Sequence, residues 1–193
     1  MDRRIVVRPI QVEDIPSVAA LLSEAFYPKN SWLGWISPVL KLGIYQDLKM
    51  RCMARSPQYS CLVGISSSHR AEIVGTIEVA ARPLSAWSLM GVSVPYISNL
   101  AVSKSLRRQG LGKQLLAACE PIVRRWGFSE LYLHVQGENR AARGLYSSMG
   151  YRLCRNEMPP WVKLLAPSQQ LLLRKELSVK SVQFAESENL RSG

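Results

Sequence analysis

The fold of this chain is decided by residues 96–126, YISNLAVSKSLRRQGLGKQLLAACEPIVRRW. The first part, residues 96–102, is rich in β-branched and apolar residues and predicts a strand. The second part predicts a helix, because apolar residues recur in it at three- and four-residue steps. These residues are Leu111, Leu115, Cys119, Ile122 and Trp126. The stretch therefore predicts a strand that leads through a short turn into an amphipathic helix.

The turn between this strand and this helix carries the pattern Arg-x-x-Gly-x-Gly, from residue 107 to residue 112. A helix N-terminus presents unpaired N–H groups and the positive end of the helix dipole. Gly110 and Gly112 lack a Cβ and let a large anion approach the backbone, while Arg107 and Arg108 add positive charge. The spacing differs from that of the dinucleotide fingerprint and of the P-loop. It predicts a diphosphate site; the alternative is an ordinary turn with two solvated arginines.

Length and composition indicate one globular domain. The chain has 193 residues, of which 47% are apolar, so it can bury a sizeable core. We expect the domain to span residues 1–177, and the polar residues 178–193 to be disordered. No apolar run reaches the roughly 18 residues of a membrane span, and the first residues lack the apolar core of a secretory signal. A transit peptide already removed from a precursor stays open.

The chain is basic, with 25 Lys and Arg against 14 Asp and Glu and a net charge of +11. Such a charge can serve nucleic-acid binding, but attraction of an anionic cofactor is an equally good use of it. Because the basic residues are spread along the chain, nucleic acid is not predicted as the main partner; docking on ribosomes through the basic surface stays open. Four scattered cysteines indicate reduced thiols in a cytosol-like compartment. Two histidines are too few for a histidine-rich metal centre.

The remaining patterns predict alternating strands and helices. Strands are predicted at residues 4–9, 59–65, 72–80, 130–136, 151–157 and 169–177, and helices at residues 13–26, 38–55 and 139–150. This order predicts an α/β protein with a mixed sheet.

A second motif, Asn-x-x-Ala-x-x-Leu-Tyr-x-x-x-Gly-Tyr, runs from residue 139 to residue 151. Together with Arg-x-x-Gly-x-Gly it resembles motifs A and B of the GNAT superfamily of N-acetyltransferases, whose element order matches residues 4–177. The resemblance implies the GNAT fold, a mixed and mostly antiparallel sheet of about seven strands flanked by about four helices. It also implies acetyl-CoA as the acetyl donor, direct transfer of the acetyl group to an amine, and no metal.

The same resemblance implies a cofactor site. The pantetheine arm is expected to pair with the backbone of Leu100, Ala101 and Val102, and Asn139 to contact the cofactor arm. Tyr146 is expected near the sulfur, where a phenol that is protonated at pH 7 can donate to the leaving thiolate. The expected diphosphate-binding loop consists of Arg107, Arg108, Gln109, Gly110, Leu111, Gly112 and Lys113.

The expected base departs from the commoner family pattern. Many GNAT enzymes place a Glu on or beside the fourth strand, whereas this chain has no Asp or Glu between Glu78 and Glu120. Tyr96 and His134, in YISNL and YLHVQ, instead resemble the pair that acts through ordered water in Met-accepting N-terminal acetyltransferases. A neutral imidazole is a suitable proton acceptor near pH 7. The alternatives are a strand histidine bonded to backbone and a tyrosine packed on the sheet.

The pKa of the acceptor amine favours protein N-termini over lysine. At pH 7.5 the neutral form costs about half a kcal/mol for an α-amine and about 4 kcal/mol for a lysine. Tyr27 and Pro28 resemble the aromatic-Pro pair that lines the pocket of the N-terminal residue in those enzymes. Trp161, from its position between the last two strands, is expected to close over the peptide. Lysine side chains, both kinds of amine, or a small amine are alternative acceptors; a cofactor-sensing or nucleic-acid-binding module is a further alternative.

These expectations describe a cytoplasmic enzyme that acts on a protein or peptide amine and has no membrane partner. The alternative compartment is an organelle interior, such as the plastid stroma, if the chain is a processed mature protein.

Overall fold

The computed structural model describes residues 5–26, 37–54, 56–66, 72–83, 93–154 and 170–177. Within these ranges the strands are β1 (Ile5–Pro9), β2 (Tyr59–Ser66), β3 (Glu72–Pro83), β4 (Ser93–Val102), β5 (Glu130–Gln136), β6 (Arg152–Leu153) and β7 (Gln170–Glu176). The α-helices are α1 (Ile15–Phe26), α2 (Ser37–Met53), α3 (Leu111–Arg125) and α4 (Arg140–Ser148). No helix in this part of the chain is long and apolar enough to cross a membrane. The predicted tail at residues 178–193 lies outside the described residues, so the domain boundary stays a prediction.

The strands form one sheet in the order β1-β2-β3-β4-β5-β7-β6. Neighbouring strands pair antiparallel, except β4 and β5, which are parallel and joined only at Tyr96 and Tyr132 among the described residues. A mixed and mostly antiparallel sheet with seven strands and four helices confirms the predicted fold class. The single parallel junction divides the sheet into two antiparallel halves.

Each face of the sheet carries its own hydrophobic core. One core lies under α3 and α4 and contains the predicted apolar face of α3, with Leu111, Leu115 and Cys119 buried. The other lies under α1 and α2 and consists of Ile15, Val18, Ala19, Leu22, Leu48, Val63 and Ala101. Because strand residues alternate between faces, Leu133 of β5 lines the α3 core while its neighbour His134 lies on the opposite face.

The first residue of α3 is seated on two glycines of the sheet. Gly64 of β2 and Gly75 of β3 are partners across the ladder. A Cβ on Gly64 would lie 2.9 Å from Cδ1 of Leu111, and a Cβ on Gly75 would lie 2.9 Å from Cδ2 of Leu111 and 3.0 Å from Cδ1 of Leu115. Because Gly64 and Gly75 have no side chains, Leu111 can pack directly on the sheet. This packing sets the position of the N-terminus of α3.

Two neighbouring strands extend by three residues each beyond their predicted bounds. β3 was expected over residues 72–80 and continues to Pro83; β4 was expected from residue 96 and begins at Ser93. The added residues pair with one another, from Ala81 with Pro95 to Pro83 with Ser93. Local propensity does not favour strand at prolines, so these ends depend on partner-strand pairing. The part of β6 predicted at residues 155–157 lies outside the described residues.

We predict opposite effects for two glycine-to-alanine substitutions. Gly75→Ala inserts a methyl group against two fully buried leucines and should lower the free energy of unfolding by about 1–3 kcal/mol, the usual cost of overpacking. Gly43→Ala, in the interior of α2 with no atom within 4 Å of the new Cβ, should raise it by about 0.5–1 kcal/mol. Urea denaturation midpoints measure both changes in stability. An unchanged midpoint for Gly75→Ala would show that Leu111 and Leu115 do not pack tightly against this glycine.

Candidate active site

The sheet opens beyond the junction of β4 and β5. β4 continues to Val102 and β5 to Gln136, but no further pair joins them in the described part of the chain. We call this opening the β4–β5 fork, bounded by residues 97–102 and 133–136. A strand that loses a neighbour exposes unpaired N–H and C=O groups. The fork thus offers the backbone of β4 to an extended ligand.

The side chain of Tyr96 meets His134 at the base of the fork. The His134 backbone N–H donates to Tyr96 Oη over 3.0 Å, and Oη lies 2.7 Å from the ring Nδ1 of the same histidine. A continuing ladder would have paired this N–H with β4, and a buried N–H without a partner is costly. The tyrosine hydroxyl takes the place of the missing strand and brings the two predicted amine-facing residues together.

The surroundings of His134 favour its neutral form. Burial, followed by the positive charge of Arg82, lowers the pKa of His134 from its ordinary value of 6.5. The Arg82 guanidinium carbon lies 3.3 Å from the centre of the Tyr96 ring. A proton acceptor and a hydroxyl that can relay a proton to it therefore stand side by side at neutral pH.

β4 contains a bulge directly after this pair. Thr76 pairs with Ala101 and Glu78 with Ser98, so β4 has one more residue than β3 between these partners. Asn99 in the bulge adopts φ 53°, in the left-handed region that Asn tolerates better than most residues. The bulge re-aims the backbone of β4 where it borders the fork.

Glu78 holds this bulge and is not available as a base. Its side chain is 1% exposed and accepts hydrogen bonds from Asn99 Nδ2 at 2.7 Å, Arg51 at 2.7 Å and the Tyr59 hydroxyl at 3.1 Å. As the last acidic residue before β4 in the sequence, Glu78 would be the first carboxylate to consider as a base. Its enclosure in a hydrogen-bonded ion pair instead makes it a support of the β4 backbone.

Tyr146 approaches the fork from the α3 side of the sheet. It is 8% exposed and packs edge-on against Tyr151, with ring centres 5.8 Å apart. Burial, and then the nearby Tyr96, raises the pKa of Tyr146 to about 12. A phenol of that pKa keeps its proton at pH 7 but gives it up less readily than a free tyrosine with a pKa of about 10. Tyr146 is therefore better suited to donating a hydrogen bond than to complete proton transfer.

The predicted diphosphate-binding loop surrounds an uncapped helix start. Gly110 is the N-cap of α3, adopts φ 85° and makes no side-chain cap bond, and Arg108 is also left-handed, with φ 64°. Arg107 Nε donates to the Val102 carbonyl at 3.3 Å, and Gln109 Nε2 to the Ser105 carbonyl at 3.2 Å. These two side chains therefore shape the loop, although they are exposed, as Arg108 and Lys113 also are. Gly112 lies against Leu145 of α4.

Asn139 caps α4, as the sequence pattern indicates. Its Oδ1 accepts from the Ala142 N–H at 3.0 Å, which satisfies one of the free donors of the helix N-terminus. The start of α4 is thereby fixed at the end of β5, beside the fork. Contact of Asn139 with a cofactor stays a prediction.

The structure brings most of the predicted site residues to one place. Leu100, Ala101 and Val102 border the fork at the end of β4, and the loop that follows leads into α3. The predicted substrate residues Tyr27, Pro28 and Trp161 lie outside the described residues.

Sequence reasoning missed Arg82 and Asn99. Arg82 pairs with Val94, two residues before Tyr96. The correct register of β3 and β4 would have indicated that Arg82 lies close to Tyr96. The strand predicted from the sequence, however, ended at residue 80.

Comparison with known proteins gives a consistent picture. Residues 19–151 match the acetyltransferase (GNAT) family. GCN5-related N-acetyltransferase 10, chloroplastic, of Arabidopsis thaliana is 33% identical over 130 residues, which are 63% of this chain and 50% of that protein. The chain thus spans about half the length of the curated relative it matches.

Two solved structures share the fold. PaiA N-acetyltransferase of Thermoplasma acidophilum, in complex with coenzyme A, superposes with a TM-score of 0.66 at 16% identity and covers 90% of this chain and 99% of its own. The ribosomal-protein-S18-alanine N-acetyltransferase of Escherichia coli superposes with a TM-score of 0.61 at 17% identity, covering 93% and 98%. At these identities the likeness concerns the fold.

We predict that His134 titrates below the ordinary histidine value. With His69 replaced by Gln, His134 is the only imidazole in the chain, and NMR can follow it alone. Its midpoint should fall below 6.5, because burial and Arg82 disfavour the imidazolium. Arg82→Gln should raise the midpoint by removing a positive charge. A midpoint above 6.5, or one that Arg82→Gln lowers, would contradict this account of the site.

Proposed function

The chain belongs to the GNAT family of acetyltransferases, and on this premise we propose that it transfers acetyl from acetyl-CoA to the α-amine of protein or peptide N-termini. The observation that carries the choice of acceptor is the contact between Tyr96 Oη and His134 Nδ1 at the fork. This pair stands where many relatives use a carboxylate. It forms a weak base, and a weak base suits an amine whose neutral form costs only about half a kcal/mol to populate at pH 7.5.

The residues around the fork fit acetyl-CoA. The unpaired edge of β4 suits a pantetheine arm, whose amides can add to it in the manner of a strand. The uncapped start of α3 suits a diphosphate, and a Cβ on Gly110 would meet no atom within 4 Å, so the approach to the backbone is open. Arg108 and Lys113 supply exposed positive charge beside it. When bound, acetyl-CoA supplies the acetyl group and a thiolate leaving group.

The proton of the amine leaves through Tyr96 and His134. With the imidazole proton on Nε2, Nδ1 accepts from the Tyr96 hydroxyl, and Oη can take a proton from the amine directly or through water. The lowered pKa of His134 keeps Nδ1 available as an acceptor at pH 7. The free energy needed to move a proton from the amine to Nδ1 is smaller when the pKa of the amine is close to the pH of the solution.

Tyr146 supports the leaving group from the opposite face of the sheet. With its pKa raised to about 12, full proton transfer to a thiolate whose conjugate acid has a pKa of about 8.5 would cost about 5 kcal/mol. A hydrogen bond from Oη stabilises the developing negative charge without that cost. We therefore assign Tyr146 a hydrogen-bonding role rather than that of a complete acid.

The choice of α-amine over lysine rests on the proton balance of the acceptor. Neutral lysine costs about 4 kcal/mol at pH 7.5, against about half a kcal/mol for an α-amine. Among the described residues near the fork, the carboxylate of Glu78 already accepts hydrogen bonds from Arg51, Tyr59 and Asn99. It is therefore not available as a base for lysine. The E. coli enzyme with the same fold is named for an alanine of a ribosomal protein, which is compatible with this acceptor.

The relatives, rather than the site, bear on the compartment. The Arabidopsis relative is named as chloroplastic, which favours the plastid stroma over the cytoplasm among the two compartments considered from the sequence. Docking on ribosomes through the basic surface stays a prediction of the +11 charge.

The acceptor is tested with two sets of short peptides, one with free α-amines and no lysine, the other with blocked N-termini and one lysine. We expect turnover on the first set. His134→Ala should lower kcat/KM about 10²-fold or more through loss of the proton acceptor. Tyr146→Phe should lower kcat with little change in acetyl-CoA binding. The matched control is Tyr45→Phe, a half-buried tyrosine of α2.

Turnover confined to the lysine set would overturn the N-terminal assignment. Absence of turnover on both sets, with acetyl-CoA still bound, would indicate a small-molecule acceptor or a cofactor sensor. An unchanged rate in His134→Ala would remove His134 from the proton path.

A separate prediction concerns the diphosphate loop. Gly110→Ala forces a side chain into a left-handed conformation, which costs about 1–2 kcal/mol, so the loop should shift and the Kd for coenzyme A should rise about fivefold to tenfold. Gly144→Ala, inside α4 with no atom within 4 Å of the new Cβ, is the control and should leave the Kd unchanged. Calorimetric titration measures both, and equal Kd values would show that Gly110 is not part of the site.

A further inference from the structure

Arg82 stands at the entrance of the proton path, and its charge has no ion-pair partner among the described residues. It lies at the end of β3, is exposed, and has its guanidinium carbon 3.3 Å from the centre of the Tyr96 ring. At this separation the guanidinium carbon lies directly on the ring, a contact that arginine favours with aromatic side chains. No carboxylate in the described part of the chain forms an ion pair with it.

The stacked geometry leaves the useful edge of the guanidinium free. Stacking occupies the face of the group, whereas its five N–H donors point outward in its plane and match the two oxygens of a carboxylate. The positive charge of Arg82 also lowers the pKa of His134. It therefore acts at the place where the acceptor amine gives up its proton. An anionic group of the substrate would therefore meet Arg82 immediately beside the reacting nitrogen.

We propose that Arg82 is a specificity-determining residue that binds a substrate carboxylate, so that the preferred acceptors are N-termini with Asp or Glu as first or second residue. This inference rests on the proposed function and names its substrate class. The limit of two residues follows from reach. The amine lies at Tyr96 Oη, the guanidinium covers the ring of the same tyrosine, and each further residue carries an extended chain about 3.5 Å away.

The same geometry disfavours cationic neighbours. An Arg or Lys at the first or second residue would place a positive charge near Arg82, and like charges repel. Arg82 thus attracts acidic N-termini and repels basic ones, and both effects contribute to selection.

The test uses the full chain and lysine-free peptides in matched pairs. The pairs are Asp against Asn at residue 1, Glu against Gln at residue 2, and Glu against Gln at residue 6 as the distant control. We expect kcat/KM to be about tenfold higher for the acidic member at residues 1 and 2, mainly through a lower KM, and equal within each pair at residue 6. Tenfold is the range of a charge-assisted hydrogen bond reduced by solvent exposure.

Three variants distinguish binding of a substrate carboxylate by Arg82 from a general effect of the net charge and from structural support of Tyr96 by Arg82. Arg82→Gln should abolish the acidic preference. Arg82→Glu should reverse it, so that a peptide with Arg at residue 2 becomes better than its Gln counterpart. Arg125→Gln, which removes one positive charge at the exposed C-terminal end of α3, should keep the wild-type preference.

Each outcome decides the matter. A reversed preference in Arg82→Glu supports recognition, because a purely structural role would lower all rates in proportion. Equal kcat/KM within the pairs at residues 1 and 2 for the wild type overturns the inference but leaves the proposed function intact. An acidic preference that persists in Arg82→Gln also overturns it. Absence of turnover on every free α-amine overturns the proposed function and this inference with it.

Discussion

The hydroxyl of Tyr96 occupies the place of a strand partner for the His134 amide, and the site depends on this substitution. Where β4 and β5 separate, the His134 N–H loses the ladder that would have satisfied it. The hydroxyl accepts this N–H at 3.0 Å and lies 2.7 Å from the imidazole Nδ1. One contact therefore closes the base of the fork and couples a phenol to a histidine. The same hydroxyl thus satisfies the amide at the opening and holds the phenol against the imidazole.

Two further contacts keep the β4 side of the fork in place. Leu111 rests on Gly64 and Gly75, so the start of α3 is set by close packing against the sheet. Glu78 joins Arg51 of α2 to Asn99 in the bulge of β4, and its burial makes this network costly to disturb. These two contacts approach β4 and its following helix from opposite faces of the sheet. The geometry at the fork is thus supported by buried packing and by a buried, hydrogen-bonded ion pair.

The electrostatics of the site assign different tasks to its polar side chains. His134 stays neutral because burial and Arg82 both oppose its protonation. Tyr146 stays protonated because burial opposes its ionisation. Arg82 has two effects. Its positive charge lowers the pKa of His134, and the edge of its guanidinium group faces outward. In a chain with a net charge of +11, such an arrangement favours anionic ligands both at the α3 terminus and beside Tyr96.

The sequence by itself determined the class of fold and several local features of the candidate site. Periodicity predicted β5 at its observed bounds and the buried face of α3, and the spacing around Gly110 and Asn139 indicated a loop and a cap that the structure contains. These features are local, so a few neighbouring residues suffice to specify them. Only the tertiary structure decided the fork, the bulge at Asn99 and the stacking of Arg82 on Tyr96. Each of these depends on strand register or on partners distant in sequence, such as Arg51 for Glu78, 27 residues away. Local patterns carry no information on such pairings, because they arise when the sheet closes and unpaired backbone groups take the nearest available partner.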